Sequence, residues 1–251
     1  AANLFLMNPN GILFGENARL DVRGSFLGTT ANSFVFDDGL EFSAKNPQAP
    51  PLLKINVPIG LQFGKQLGDI TTTSNGFGSL SGGTVALIGG EINVDDGLLL
   101  SQNGQVKLAA VGEDSTIGLN VNGSSLGFQF SEGVERESIN VTDGRIFAVD
   151  QNSGIELFGG DIDINNSSIL GTNGGSINID GTELNLDQNS SILTTTSGAI
   201  NSGDIQIKVK DEVSLAKSSL ILSGNLASTT GAGGDVTINA KKITITGDAT
   251  P

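Results

Sequence analysis

Gly160-Asp161-Ile162-Asp163-Ile164, Gly175-Ser176-Ile177-Asn178-Ile179, Gly203-Asp204-Ile205-Gln206-Ile207 and Gly234-Asp235-Val236-Thr237-Ile238 repeat one pattern, a glycine followed by alternating polar and β-branched residues. A period of two puts successive side chains on opposite faces, so each segment reads as a strand with one buried face. The glycines stand 15, 28 and 31 residues apart, too close for separate domains. Nine or ten residues after three of them comes a second alternating segment: Leu184-Asn185-Leu186, Val213-Ser214-Leu215 and Ile243-Thr244-Ile245. A third segment, in Asn189-Ser190-Ser191-Ile192-Leu193 and Lys217-Ser218-Ser219-Leu220-Ile221, reaches its first aliphatic seventeen residues after the glycine. The unit that starts at Gly160 runs from Ile164 straight to Ser167-Ser168-Ile169-Leu170 and reads as a coil lacking its middle strand. Short strands cut by Gly, Asn, Asp and Ser, with no helical period, describe coils that stack and complete each other's hydrogen bonds. The expected fold is all-β, a right-handed parallel β-helix with three strands per coil.

The pattern continues upstream. Gly83-Thr84-Val85-Ala86-Leu87, Gly90-Glu91-Ile92-Asn93-Val94, Gly97-Leu98-Leu99-Leu100 and Gly104-Gln105-Val106-Lys107-Leu108 make one coil of 21 residues between the first and last glycine. About ten coils at roughly 4.8 Å each predict a rod on the order of 50 Å long. The final residues, Ile243 to Pro251, still read as repeat, and open β-helix ends are unpaired edges, so the chain is expected to be a piece of a longer protein. Residues 1–80 hold eight of the twelve Phe and most of the Pro, including Asn46-Pro47-Gln48-Ala49-Pro50-Pro51, and predict irregular N-terminal coils and loops. Residues 81–251 predict a repeat shaft.

Composition narrows the function. The 251 residues contain no Cys, His, Trp or Tyr, which removes thiolate and imidazole metal ligands and Ser-His or Cys-His catalysis. No catalytic residue, metal or cofactor is assigned. With 27 acidic against 13 basic residues the net charge is −14, which opposes binding to nucleic acid or to anionic lipid. No run approaches the roughly 18 apolar residues of a membrane-spanning helix, so no membrane insertion is expected. The acidity is local: 5 basic face 6 acidic residues in 1–80, and 8 face 21 in 81–251.

Four features bear on chemistry. Asn8-Pro9-Asn10-Gly11-Ile12 is a turn of residues that pre-set φ, tolerate left-handed backbone and bond their own main chain. Asp37-Asp38-Gly39 and Asp95-Asp96-Gly97 offer oxygen ligands for calcium but read more simply as solvated turns. Asp161 and Asp163, pointing the same way from one strand, have the form of a glycosidase carboxylate pair, yet also of a soluble outer face. Asn178, Asn185 and Asn189 recur in the coils either as stacked side-chain ladders or as turn formers.

Asn3-Leu4-Phe5-Leu6-Met7-Asn8-Pro9-Asn10-Gly11-Ile12-Leu13-Phe14-Gly15, followed by Leu20-Asp21-Val22-Arg23-Gly24-Ser25-Phe26 and Thr30-Ala31-Asn32-Ser33-Phe34, resembles the haemagglutination-activity secretion domain of filamentous haemagglutinin-like exoproteins. Phe36-Asp37-Asp38-Gly39-Leu40 and Val57-Pro58-Ile59-Gly60-Leu61-Gln62-Phe63-Gly64 continue the likeness, and Val85-Ala86-Leu87-Ile88-Gly89-Gly90 is most similar to cyanobacterial members. The likeness is specific over about residues 3–110. It implies two-partner secretion: passage across the periplasm unfolded, recognition by an outer-membrane β-barrel transporter, and folding outside as a right-handed β-helix. On this reading residues 1–80 are the C-terminal part of the secretion domain and Asn8, Pro9, Asn10, Gly11 and Ile12 match its secretion motif. The family's capping region and second Asn-Pro motif would precede Ala1. The implied protein is extracellular, at the surface of a Gram-negative-type bacterium, an adhesin or fibre element able to associate end to end. A carboxylate-dependent β-helix polysaccharide lyase or hydrolase is the alternative. A disulfide-free chain of thin coils suits threading, and coil-by-coil stacking outside would bias diffusion outward without ATP.

Overall fold

The structure is a computed structural model that describes residues 2–46, 57–79, 82–197, 199–225 and 230–247. The chain winds as a parallel β-helix whose coils contribute strands to three walls. The first wall runs from Leu4–Met7 through Phe26–Thr29, Thr84–Gly89, Gln105–Ala110, Gly154–Phe158, Ser176–Gly181 and Ile205–Val209 to Val236–Asn239. The second runs from Ile12–Phe14 through Ile70–Thr72, Ile92–Asp95, Ile139–Thr142, Asp161–Asn165, Glu183–Asp187 and Glu212–Ala216 to Lys242–Thr246. The third stacks Asn75–Ser79, Leu98–Gln102, Arg145–Val149, Ser168–Thr172, Ser191–Thr196 and Leu220–Asn225. Every neighbouring pair within these walls is parallel, as expected when each coil returns to the same wall one level on.

The alternation read in the sequence is what fills the interior. Ile92, Ile139, Ile162, Leu184 and Val213 stand in register, each above the last, and all are fully buried. Similar columns rise from the other two walls, so each level adds a layer of aliphatic side chains worth about 1.5–3 kcal/mol apiece. Near the N-terminal end Phe14, Phe26 and Phe77, one from each wall, replace the aliphatics with a ring cluster whose centroids lie 4.5–5.9 Å apart.

The register corrects the reading of Gly160. Ile162 pairs with Leu184 on the second wall, while Ser176 pairs with Gly154 on the first. The coil therefore lacks no middle strand: Gly154-Ile155-Glu156-Leu157-Phe158 is its first strand, and Gly160 opens its second. What distinguishes the glycines is the corner they occupy. Gly83, Gly104, Gly175, Gly203 and Gly234 precede first-wall strands, and a β-carbon on Gly83, Gly104, Gly203 or Gly234 would collide with backbone of the glycine stacked beneath it. Close approach, not φ, requires glycine there.

The third wall shows a smaller slip. Ser191 stands opposite Leu220 and Ile192 opposite Ile221, so Leu220 points outward and Ile221 inward. The corner between second and third walls explains the Asp and Asn punctuation. Asp96, Asp143, Asn166, Asn189 and Ser218 all have positive φ, between 47° and 63°, a conformation that Asn and Asp accept most readily. Beside them the buried Ser190 hydroxyl donates to the Ile164 carbonyl at 2.8 Å, and the amide of Ser167 donates to Ser190 Oγ at 3.3 Å. Asn189 is thus a turn former, whereas Asn185 joins a ladder, donating to Asp163 Oδ1 at 2.9 Å. Asn140 donates to Asn93 in the same column at 3.0 Å.

Eight levels are present in the first and second walls among the described residues, fewer than the ten expected. The difference lies in two excursions that leave the helix. Ser33–Val35, Glu41–Ser43 and Gly60–Gln62 join the hairpin Thr116–Asn122 and Ser125–Phe130 in a five-stranded antiparallel sheet. This sheet covers the outer face of the first wall, burying Leu27, Ala86, Ile88 and Ala109 against Leu61, Ile117 and Leu126 as a second core. The strand Thr84–Gly89 is accordingly buried at every position. Among the described residues this sheet is what interrupts the plain coils of the N-terminal portion, in keeping with the irregular coils expected there. The Pro-rich stretch 47–51 and the chain end at 248–251 lie outside the described residues.

Candidate functional site

The turn Asn8 to Ile12 joins the first strand of the first wall to the first strand of the second. The Asn8 amide donates to the Thr29 carbonyl at 2.9 Å, anchoring the turn to the next level. The Asn10 amide donates to Asn8 Oδ1 at 3.2 Å and the Gly11 amide to the Asn8 carbonyl at 3.1 Å. Gly11 has φ 110°, and a β-carbon on it would stand 3.1 Å from the Asp69 carbonyl oxygen, which leaves little room for any other residue. The Ile12 amide then donates to that same carbonyl at 2.9 Å. Pro9 is buried beneath the turn, while Asn8 and Asn10 are exposed, and the neighbouring Leu13 is 71% exposed. The result is a fixed turn that presents two carboxamides and an aliphatic group to solvent.

Sequence reasoning missed the support of this turn. Gly68 lies directly under it, and a β-carbon there would stand 2.6 Å from the Pro9 carbonyl oxygen. The Gly90 amide donates to the Gly68 carbonyl at 3.0 Å, and Asp69 Oδ1 accepts from the Glu91 amide at 3.1 Å, carrying the corner up to the following level. The signal was present: Gly68-Asp69-Ile70 has the same form as Gly160-Asp161-Ile162, and both occupy the corner between first and second walls.

The other candidates lie elsewhere. Asp37-Asp38-Gly39 caps the hairpin between Ser33–Val35 and Glu41–Ser43, with the Leu40 amide bonded to Asp38 Oδ1 at 3.1 Å. Asp95-Asp96-Gly97 is a coil corner. Among the described residues no three acidic side chains converge on a metal-sized site. Asp161 and Asp163 face outward from the second wall while Ile162 and Ile164 are buried, as the alternation predicts. A groove of about 670 Å³ runs between the loop Glu132–Arg136 and Asp180, Lys208 and Lys210. At its edge Arg136 lies over the Phe158 ring, 4.0 Å from the centroid, and donates to Asp180 at 2.6 Å. Phe158 in turn stacks on Phe130 at 3.8 Å, closing the end of the covering sheet.

Charges in the last coils are paired from level to level. The Lys217 ammonium beside Asp187 and the Lys241 ammonium beside Asp211 each hold the carboxyl below its usual range. For Glu212 the Thr244 hydroxyl is the main cause of the same shift, with Lys242 assisting.

A family model described as the TPS secretion domain matches residues 1–164. The crystal structure of the HMW1 secretion domain from Haemophilus influenzae is similar over 97% of this chain and 80% of that one, with 18% sequence identity and a TM-score of 0.45. No curated protein matches. The matched span takes in the Asn8–Ile12 turn, both excursions of the covering sheet and the Phe130–Phe158 stack, and the chain belongs to the TPS secretion domain family, the two-partner secretion exoproteins of Gram-negative bacteria.

Proposed function

We propose that Asn8, Pro9, Asn10, Gly11 and Ile12 are read by the outer-membrane β-barrel transporter, and that the exported chain serves at the cell surface as an adhesive or fibre-forming element without catalytic activity. The observation that carries the reading is the exposure of Asn8 and Asn10 on a turn held rigid from within by Thr29, Gly68 and Asp69. The division into a secretion portion, residues 1–80, and a shaft, residues 81–251, belongs to the same reading. End-to-end association also belongs to the same reading, since the ends of a β-helix are unpaired strand edges. A lyase or hydrolase would need a base beside its acids, and the side chain facing Asp163 is Asn185.

The test is secretion of the exoprotein from cells that express its transporter. Asn8→Ala and Asn10→Ala are expected to lower the amount in the medium at least about tenfold while leaving circular dichroism of the purified, folded protein unchanged. Secretion at the parental level from both variants would remove the motif from the recognition event.

A further inference from the structure

The three walls differ in what they show to solvent. The second wall is polar and acidic outside, with Asp163, Asn185, Asp187 and Glu212. The first is hidden by the covering sheet up to Phe158 and polar beyond it, with Asn178, Asp180 and Lys208. The third carries an apolar column flanked by Gln102, Ser168, Thr172 and Ser191. Leu100, Phe147, Leu170, Leu193 and Leu222 stand in register over five consecutive levels on its outer face. None of them belongs to either core. All are partly exposed, and Leu222 reaches 48%. Leu98, Val149 and Leu220 widen the stripe on either side. The outer positions of these five strands include no carboxylate, and their one charge is Arg145, exposed and without an ion-pair partner among the described residues.

From this we infer that two copies of the chain pair side by side through the outer faces of their third walls. Charge selects the partner. In a chain of net charge −14, contact through the second wall would bring carboxylates together, whereas the outer positions of the third-wall strands carry no carboxylate and a single arginine. Symmetry supplies the complement. A two-fold axis along the rod lays the Leu/Phe column of one copy on the same column of the other and reverses the strand direction. Arg145, at one end of its strand, then faces the opposite end of that same level, where Val149 is followed by Asp150, whose Oδ2 accepts from Gln102 Nε2 at 2.9 Å and leaves Oδ1 for the guanidinium. Such an isologous contact satisfies both copies at once and keeps the two rods pointing the same way.

Area sets the strength. Five levels at ~4.8 Å by five residues at ~3.3 Å give roughly 400 Å² per copy. That is the size of a functional patch on a monomer and falls short of the ~1,200 Å² total of a stable interface. A single pair is therefore weak.

The absence of cysteine makes the test direct. In Leu170→Cys the two thiols of a pair face each other across the ~10 Å spacing of packed sheets, so a bis-maleimide of matching reach should join two chains. Asn185→Cys, on the second wall, should remain monomeric under the same treatment. Sedimentation of the cysteine-free chain should show concentration-dependent dimer that strengthens at about 0.5 M salt, where repulsion is screened, and that weakens at least about tenfold in Leu170→Glu and in Arg145→Glu. Equal cross-linking of the two cysteine variants, or a wild-type chain that stays monomeric at millimolar concentration in high salt, would overturn the pairing. Monomeric protein that floats with phosphatidylcholine vesicles, and loses this in Leu170→Glu, would assign the face to lipid instead and equally overturn it.

Discussion

Gly68 and Gly11 sit on adjacent levels of one corner, so close that the α-carbon of Gly68 faces the Gly11 amide with no space for a β-carbon between them. The turn that presents Asn8 and Asn10 is therefore shaped from below. Gly68→Ala must push the Pro9–Gly11 backbone outward, at a cost of about 2 kcal/mol by the usual measure of overpacking. Urea unfolding should show that loss, and secretion should fall although no residue of the turn itself has changed.

The end of the covering sheet depends on aromatic contact. Phe158→Ala removes the stack on Phe130 and the platform beneath Arg136, an expected loss of roughly 2 kcal/mol. Hydrogen exchange should locate it in the hairpin Thr116–Phe130, with the Ile162–Leu184 levels unaffected.

Ser190 tests the corner ladder. Its buried hydroxyl lies within hydrogen-bond reach of the Asp187 and Ile164 carbonyls and accepts from the Ser167 amide, so Ser190→Ala removes these contacts and is expected to cost about 1–2 kcal/mol. Thermal unfolding measures it. Replacing the exposed Ser197 serves as the neutral control.

Acid should loosen the last coils first. Asp187, Asp211 and Glu212 have lowered values in the folded chain. Their contribution is complete above the ordinary carboxylate range of about 4 and is lost as pH falls through the lowered folded values, because only the unfolded chain then gains from protonation. Exchange at the Lys242–Thr246 strand should rise before exchange at the Ile92–Asp95 strand, and salt should reduce the difference at neutral pH.

Export coupled to folding predicts that an early coil matters most. Val85→Pro removes a backbone donor from a strand buried on both faces. The exported amount per unit time should drop, and a rate equal to that of the parent would dismiss stacking as the driving force.

The coil design was legible because interior columns need one aliphatic at every second position, and Ile162, Ile177 and Ile205 announce it. The phase of the coils was not, since Gly160 and Gly175 carry the same local signature at different corners, and only register across levels separates them. The covering sheet was hidden for a related reason. Ala86 and Ile88 face outward in a continuous apolar strand, and nothing in that strand names the distant partner, Leu61 or Ile117, that buries them. The Asn8–Ile12 turn could be read as a turn, but its support came from Gly68, remote in sequence and adjacent in space.

The glycine corner has an evolutionary side. Because Gly203 rests on Gly175 and Gly234 on Gly203 by one and the same contact, a whole turn of the uncovered shaft can be duplicated or deleted without asking its neighbours to change. Each such event moves everything beyond it by ~4.8 Å along the axis. The length of the rod is then a quantity that selection can adjust in even increments, while the first levels, tied to their covering sheet, stay constant.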